Sequence, residues 1–253
     1  MTSSADDSTY EDIRIENFDL GMHLVGVATP PADILQDVFV DTVRIGLSGL
    51  PPSPSVNNAI HLDGIVGNIH FTNYHLAAMQ SVIISDGPGV NGADASFTEG
   101  TFNTTKTPGI AAVRVSSSDG IVHVLTINGV QDWETAAPLL ELGLASRVAI
   151  SNVASSGDAW PTTPRQPQIH ILPGALAQLM ISNSIFSQPA TDDMMLFEDT
   201  NSIVLISNSF LYGRMNFAAA THASITGNWC QNAWVGNLSY VRATGNQVNC
   251  PDR

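Results

Sequence analysis

A short phrase recurs along the whole chain: apolar, small, apolar, Ser/Thr/Gly, then Asn. Its clearest copies are Leu179-Met180-Ile181-Ser182-Asn183, Val204-Leu205-Ile206-Ser207-Asn208 and Ser224-Ile225-Thr226-Gly227-Asn228. Val148-Ala149-Ile150-Ser151-Asn152 and Leu125-Thr126-Ile127-Asn128-Gly129 precede them. Looser copies end at Asn17, Asp41, Asn73 and Asn246, and a degenerate one at Gly100. Anchored at 17, 41, 73, 100, 128, 152, 183, 208, 228 and 246, the copies lie 18 to 32 residues apart. Repeats of that length with a period-two strand at each anchor predict one coil of a stacked solenoid per copy. Each Asn is expected to turn the corner after its strand and to stack into an amide ladder along the axis.

A second column of strands falls between the anchors. Its central residues are His23, His61, Ile83, Arg114, Glu141, His170, Leu196, Asn216 and Trp234. From His61, Glu141, His170, Leu196, Asn216 and Trp234 the next anchor is 11 to 13 residues away, which supports a coil independently of the anchors. Ten coils at the strand spacing make a rod about 48 Å long. Residues 1–10 are polar and read as a lead-in; 11–253 form one domain. Long insertions fall at Gly46 to Asn58, Asp86 to Asp94 and Ala154 to Gln168, marked by Pro and Gly. The fold class expected is all-β.

Composition agrees with many short strands, since only 13% of the 253 residues are charged. The chain carries 23 acidic against 9 basic residues, a formal net charge of −14, with Lys106 the sole lysine. Such a surface repels nucleic acid and anionic membranes, and it tolerates a neutral sugar polymer. No apolar run is long enough to cross a bilayer, so no membrane insertion is expected. The start, Met1 to Asp7, has neither a basic nor an apolar leader region. The expectation is synthesis in the cytoplasm without a signal peptide, or a piece of a longer protein. No amphipathic helix precedes Ile13 to cover the first coil, so a separate base protein is expected at the N-terminal end. Cys230 and Cys250 lie about one coil apart. A disulfide is geometrically open to them, and two buried thiols are the favoured reading.

The repeated Ile-Ser-Asn strand ends resemble the right-handed parallel β-helix of the pectin-lyase-like superfamily, over about residues 11 to 249. The resemblance implies a right-handed parallel β-helix of about ten coils. The superfamily holds pectate lyases, polygalacturonases, epimerases, and the tailspikes and spikes of phages and phage-like particles, the last usually trimeric. Of the polygalacturonase motif set Asn-Thr-Asp, Asp-Asp, His-Gly and Arg-Ile-Lys, only Asp192-Asp193 is present. The calcium-binding carboxylate cluster of the lyases cannot be assembled from strand positions. The remaining branch implies a virion-associated spike, homotrimeric, on the surface of a phage or of a phage-like particle such as a gene-transfer agent. It would bind bacterial surface polysaccharide and need no cofactor. The alternative is a polysaccharide depolymerase, hydrolase or lyase.

Sugar recognition pairs an aromatic face with polar groups for the hydroxyls. Asp132-Trp133-Glu134 and Asp158-Ala159-Trp160 follow successive anchors, and Arg165 and Asp192-Asp193 come after. Trp133, Trp160 and Arg165 are therefore candidate glycan contacts. Asp132, Glu134, Asp158, Asp192 and Asp193 are the candidate acids for the depolymerase. These loops equally read as tryptophans folded over the core edge with solvated turn acids. The outward residues of the second column, His61, Arg114, His170 and Trp234, offer a rival glycan surface or a trimer contact. His23, His61 and His170 are read as lying on non-successive coils, and no metal site is expected.

Overall fold

Alternating apolar residues bury one face of a strand, and an interior parallel strand needs a hydrogen-bonded neighbour on both sides. The computed structural model meets both needs by stacking. It describes residues 8–16, 20–26, 35–46, 58–63, 65–78, 80–85, 92–104, 111–115, 123–132, 139–143, 146–156, 166–189, 192–231 and 233–247. Among these there is no α-helix, and all named strand pairs are parallel.

Two large sheets share the strands. The first runs Ser8–Glu16, Leu35–Gly46, Ile65–Ala78, Gly92–Thr104, His123–Asp132, Ser146–Ser151, Gln178–Ser182, Ile203–Ser207, His222–Thr226 and Val241–Thr244. The second runs Leu20–Val25, Asn58–Asp63, Gln80–Ser85, Val113–Val115, Leu140–Leu142, Ile169–Ile171, Asp193–Phe197, Arg214–Phe217 and Trp234–Gly236. The chain visits the two sheets in turn, so each return to a sheet adds a strand beside the previous one. A shorter ladder, Ala154–Ser156, Ile185–Ser187, Phe210–Tyr212 and Trp229–Gln231, continues from the end of His123–Asp132. Ala154 to Ser156, read from sequence as the start of an insertion, is thus a strand. The first strand begins at Ser8, inside the stretch read as a lead-in.

Inward rows are continuous across the first sheet. Val38, Ile69, Ala95, Leu125, Val148, Leu179, Val204, Ala223 and Val241 pair in register, and all are buried. The second sheet faces them with Ile60, Val82, Val113, Leu140, Ile169, Met195 and Met215, all fully buried. An aromatic stack fills the wide part of the core. Phe71 and Phe97 lie parallel at 4.8 Å, with Tyr74 edge-on to Phe97 at 5.5 Å.

The corners explain why the repeat is so persistent. One residue per strand of the first sheet has a positive φ at the same place: Asp12, Thr42, Asn73, Glu99, Gly129, Asn152, Asn183, Asn208, Gly227 and Gly245, with φ from 48° to 67°. Asn and Gly tolerate this left-handed conformation, and it lets the chain bend sharply into its next segment. The Asn of the repeat therefore turns the corner at 73, 152, 183 and 208. In Asn128-Gly129, Thr226-Gly227-Asn228 and Thr244-Gly245-Asn246 a glycine takes that place instead. The register corrects further anchors: Asp41 and Asn128 pair with the Ser/Thr row, one residue before the corner, Gly100 follows the corner at Glu99, and the corner of the first strand is Asp12 rather than the anchor at 17. Thr42 is β-branched and pays most for its φ of 54°. Thr42→Asn is expected to raise stability by about 1 kcal/mol in urea denaturation.

The expected axial ladder exists, displaced by one residue. The Val153 amide donates to Ser184 Oγ (3.2 Å), that of Ser184 to Ser209 Oγ (3.2 Å), that of Ser209 to Asn228 Oδ1 (2.9 Å) and that of Asn228 to Asn246 Oδ1 (2.8 Å). Ser184, Ser209 and Asn228 are buried, while Asn152, Asn183 and Asn208 are exposed. The residue after the corner points inward, so its oxygen meets the amide of the neighbouring strand. Near the C-terminal end Cys230 is disulfide-bonded, which corrects the favoured thiol reading. Cys250, the sequence's other cysteine, lies outside the described residues.

Candidate functional site

Inward apolar pairs such as Ile60/Leu62, Val113/Val115, Leu140/Leu142 and Ile169/Ile171 are fully or almost fully buried. Period two then forces the residue between each pair to the outside of the second sheet. His23, His61, Arg114, Glu141, His170, Leu196 and Asn216 follow in that order along the outer face, with the strand Gln80–Ser85 between His61 and Arg114. The column read from sequence is therefore one face, and His61, Arg114 and His170 share it.

Carboxylates on the same face meet the bases. Asp63 lies against His23 (2.6 Å) and His61 (3.1 Å). Arg114 Nε and Glu141 Oε1 form an ion pair at 3.1 Å, and His170 Nε2 lies 2.7 Å from Glu198 Oε2. Asp193 is ion-paired with Arg214 and accepts from Asn216 Nδ2 at 2.9 Å. The result is a strip along the stacking axis in which basic and acidic groups are interleaved, with Leu196 between His170 and Asn216. Burial pushes the His61 imidazole below the usual 6.5; Asp63 opposes this and His23 reinforces it. Such a strip presents donors and acceptors together, as a polyhydroxylated ligand requires. Of the cations on this strip, Arg114 and Arg214 are each paired with a carboxylate.

Trp234 does not belong to this face. It is buried, pairs with Met215 and packs on Phe217 at 6.4 Å, and Val235 stands opposite Asn216 instead. A one-residue register difference reverses which face a side chain occupies. The reading of His23 and His61 as lying on non-successive coils is also corrected. They are direct cross-strand partners with rings stacked at 4.8 Å, while His170 lies farther along the sheet. Of the candidate acids, Asp193 joins the strip in its ion pair and Asp192 lies half-buried beside it. Asp132 ends its strand, with its side chain outside the description. Trp133, Glu134, Asp158, Trp160 and Arg165 lie outside the described residues.

Sequence reasoning missed a second feature, on the outer face of the first sheet near the C-terminal end. His222 and Tyr240 stack with centroids 4.5 Å apart. With Ile203, Leu205, Ser224 and Arg242 they line an open pocket of about 360 Å³. Apart from Tyr240, in the turn before Val241–Thr244, these are outward residues on three adjacent strands, and no spacing rule singles them out.

On the same outer face Asp41 accepts from Thr72 Oγ1 at 2.6 Å and from Asn73 Nδ2 at 2.8 Å. Those two bonds hold its carboxyl below the usual 3.8. A carboxyl depressed in the folded state adds stability above its unfolded pKa and loses it as pH falls through the folded one. The thermal midpoint is therefore expected to fall more steeply below pH 3.8 in the native protein than in Asp41→Asn, measured by calorimetry across the acid range.

Comparison with family profiles, curated proteins and solved structures finds no match to this chain.

Proposed function

We propose that this chain is a right-handed parallel β-helix of about ten coils. On this reading it serves as a spike or receptor-binding fibre of a phage or phage-like particle, such as a gene-transfer agent. It binds bacterial surface polysaccharide, and it assembles as a homotrimer on a separate base protein. The observation that carries the binding reading is the interleaved strip on the second sheet, from His61 through Arg114, Glu141 and His170 to Asp193 and Asn216. Its alternating donors and acceptors extend along one axis, which suits a polymer better than a small compact ligand. The net charge of −14 favours a neutral or weakly charged glycan. The spike reading rests on the resemblance of the Ile-Ser-Asn strand ends to the pectin-lyase-like superfamily.

The trimer reading is supported by apolar side chains exposed on the outside. Met180 and Leu205 are cross-strand partners on the first sheet, with Ile203 beside them. Ile185 and Phe210 pair on the short ladder, with Trp229 next to Phe210 at 5.6 Å. Exposed apolar groups concentrated in this way mark protein contacts.

The test is size-exclusion with light scattering of a neutral capsular polysaccharide, with and without the protein. Co-elution with unchanged polymer size is expected, and Arg114→Ala combined with His170→Ala is expected to weaken retention at least about tenfold, the loss of one or two charge-assisted bonds. Retention unchanged in that double variant would remove the strip. A fall in polymer size would favour the depolymerase reading and direct attention to Asp132, Glu134, Asp158, Asp192 and Asp193. The same run gives the mass, and a monomer would end the trimer reading.

A further inference from the structure

We propose that His23, His61 and Asp63 bind a divalent transition ion of the zinc class, with three protein ligands and at least one position open to solvent. The cluster shares His61 with the strip of the glycan reading, but the proposal does not rest on that reading.

Two imidazole nitrogens and a carboxylate are a donor set suited to zinc and its neighbours, and unsuited to calcium or magnesium, which prefer oxygen. The backbone holds the three residues together. His23 and His61 are register partners on adjacent strands, and Asp63 follows His61 by two residues on the same outward face. Leu62, buried between them, fixes that face. Each imidazole presents Nε2 to a different oxygen of the one carboxylate, at 2.6 and 3.1 Å. All three ligand atoms lie within 4.8 Å of one another. Bonds of about 2.0–2.2 Å to a tetrahedral ion place its donors roughly 3.3 Å apart. The His61–Asp63 spacing already fits, and His23, the most exposed of the three side chains at 41%, can rotate to complete the set.

Other acid–base contacts on this face differ. Arg114 with Glu141 and His170 with Glu198 each join one base to one acid. Among the described residues this is the one place where three possible ligands of these types converge. Its location gives the ion a role. Among the described residues Leu20–Val25 ends the second sheet, with Asn58–Asp63 as its one sheet neighbour. An ion shared by His23 and the His61/Asp63 pair would pin that edge strand to the sheet. The strongly acidic surface raises the local concentration of cations.

The experiment uses the full chain without an affinity tag, stripped with chelator and dialysed. Zinc is titrated by calorimetry and cobalt by visible absorption. One saturable equivalent is expected, with cobalt bands typical of low coordination number and a thermal midpoint raised by zinc. His61→Ala and Asp63→Asn are each expected to weaken zinc binding more than about 100-fold, beyond the loss seen when only a supporting contact is removed. His23→Ala, at the exposed ring, guards against a folding defect and is expected to weaken it as well. His75→Ala, outside the cluster, is expected to leave both readouts intact. No saturable zinc binding, or binding that survives His23→Ala and Asp63→Asn unchanged, overturns the proposal.

Discussion

Replacing Phe97 with alanine is expected to destabilise the protein by about 3–5 kcal/mol. Phe97 is completely buried, and three aromatic rings surround it: Phe71 at 4.8 Å, Tyr74 at 5.5 Å and Phe102 at 5.9 Å. The cavity left behind cannot close easily. Phe71 and Phe97 are register partners on hydrogen-bonded strands, and the main-chain ladder fixes the spacing between their backbones. Tyr74 is held on the other side, where its ring occupies the space that a Cβ on Gly100 would need, only 2.5 Å away. Phe39→Ala on the outer face of the same sheet is the matched control. Phe39 is exposed and stacks only on His70, so its loss should cost no more than about 1 kcal/mol. Urea midpoints of the two variants decide the matter. Equal losses would mean that the aromatic stack does not organise this core.

Asp199→Ala is expected to cost about 3 kcal/mol and to loosen one turn in particular. Asp199 is a buried carboxylate with three donors aimed at it. The amides of Gly174 and Leu176 donate at 3.1 Å each, and Ser202 Oγ at 2.6 Å. Ser202 in turn accepts from the amide of Ala177 at 2.8 Å. Leu176 sits in that turn with a φ of 50°, a conformation unfavourable for leucine. Removing the carboxylate leaves the donors without their acceptor and the strained turn without its clamp. Hydrogen exchange should show the amides of Gly174 and Leu176 opening faster, while those of the neighbouring sheet strands stay protected. A uniform increase across the molecule would indicate a global rather than a local role for Asp199.

The second column shows how far spacing alone reaches. Inward apolar residues flank each outward position, so His61, Arg114, Glu141 and His170 could be aligned from sequence, and the register pairs them in that order. The alignment failed at the end of the column. Around Trp234 both Trp234 and Val235 are apolar, so period two did not specify which one faces in. Packing against Phe217 decided it. The ion-pair partners of the strip were harder still. Glu198 and Arg214 reach their partners from neighbouring strands, and a spacing rule carries no information on such cross-strand reach. The His23–His61–Asp63 cluster did leave a trace in the sequence. His-x-Asp on a strand puts both residues on one face, and His23 holds the matching position in the preceding copy.

The sequence by itself determined the alternation that makes the chain all-β, the number of returns to each sheet, and the corners at Asn73, Asn152, Asn183 and Asn208. These follow from local rules: period two selects an inward face, and Asn or Gly accepts the positive φ that a sharp bend demands. Only the tertiary structure decided which oxygen closes the axial ladder. In the copies ending at Asn183 and Asn208 the repeat's Asn turns the corner and points outward, so Ser184 and Ser209 take the ladder; in the last two copies a glycine turns the corner, and the repeat's own Asn228 and Asn246 close it. The same holds for the charged strip, the His222–Tyr240 pocket and the disulfide at Cys230. Each depends on the register between strands roughly 20 to 40 residues apart, which is set by the summed packing of the core and by no short stretch of chain.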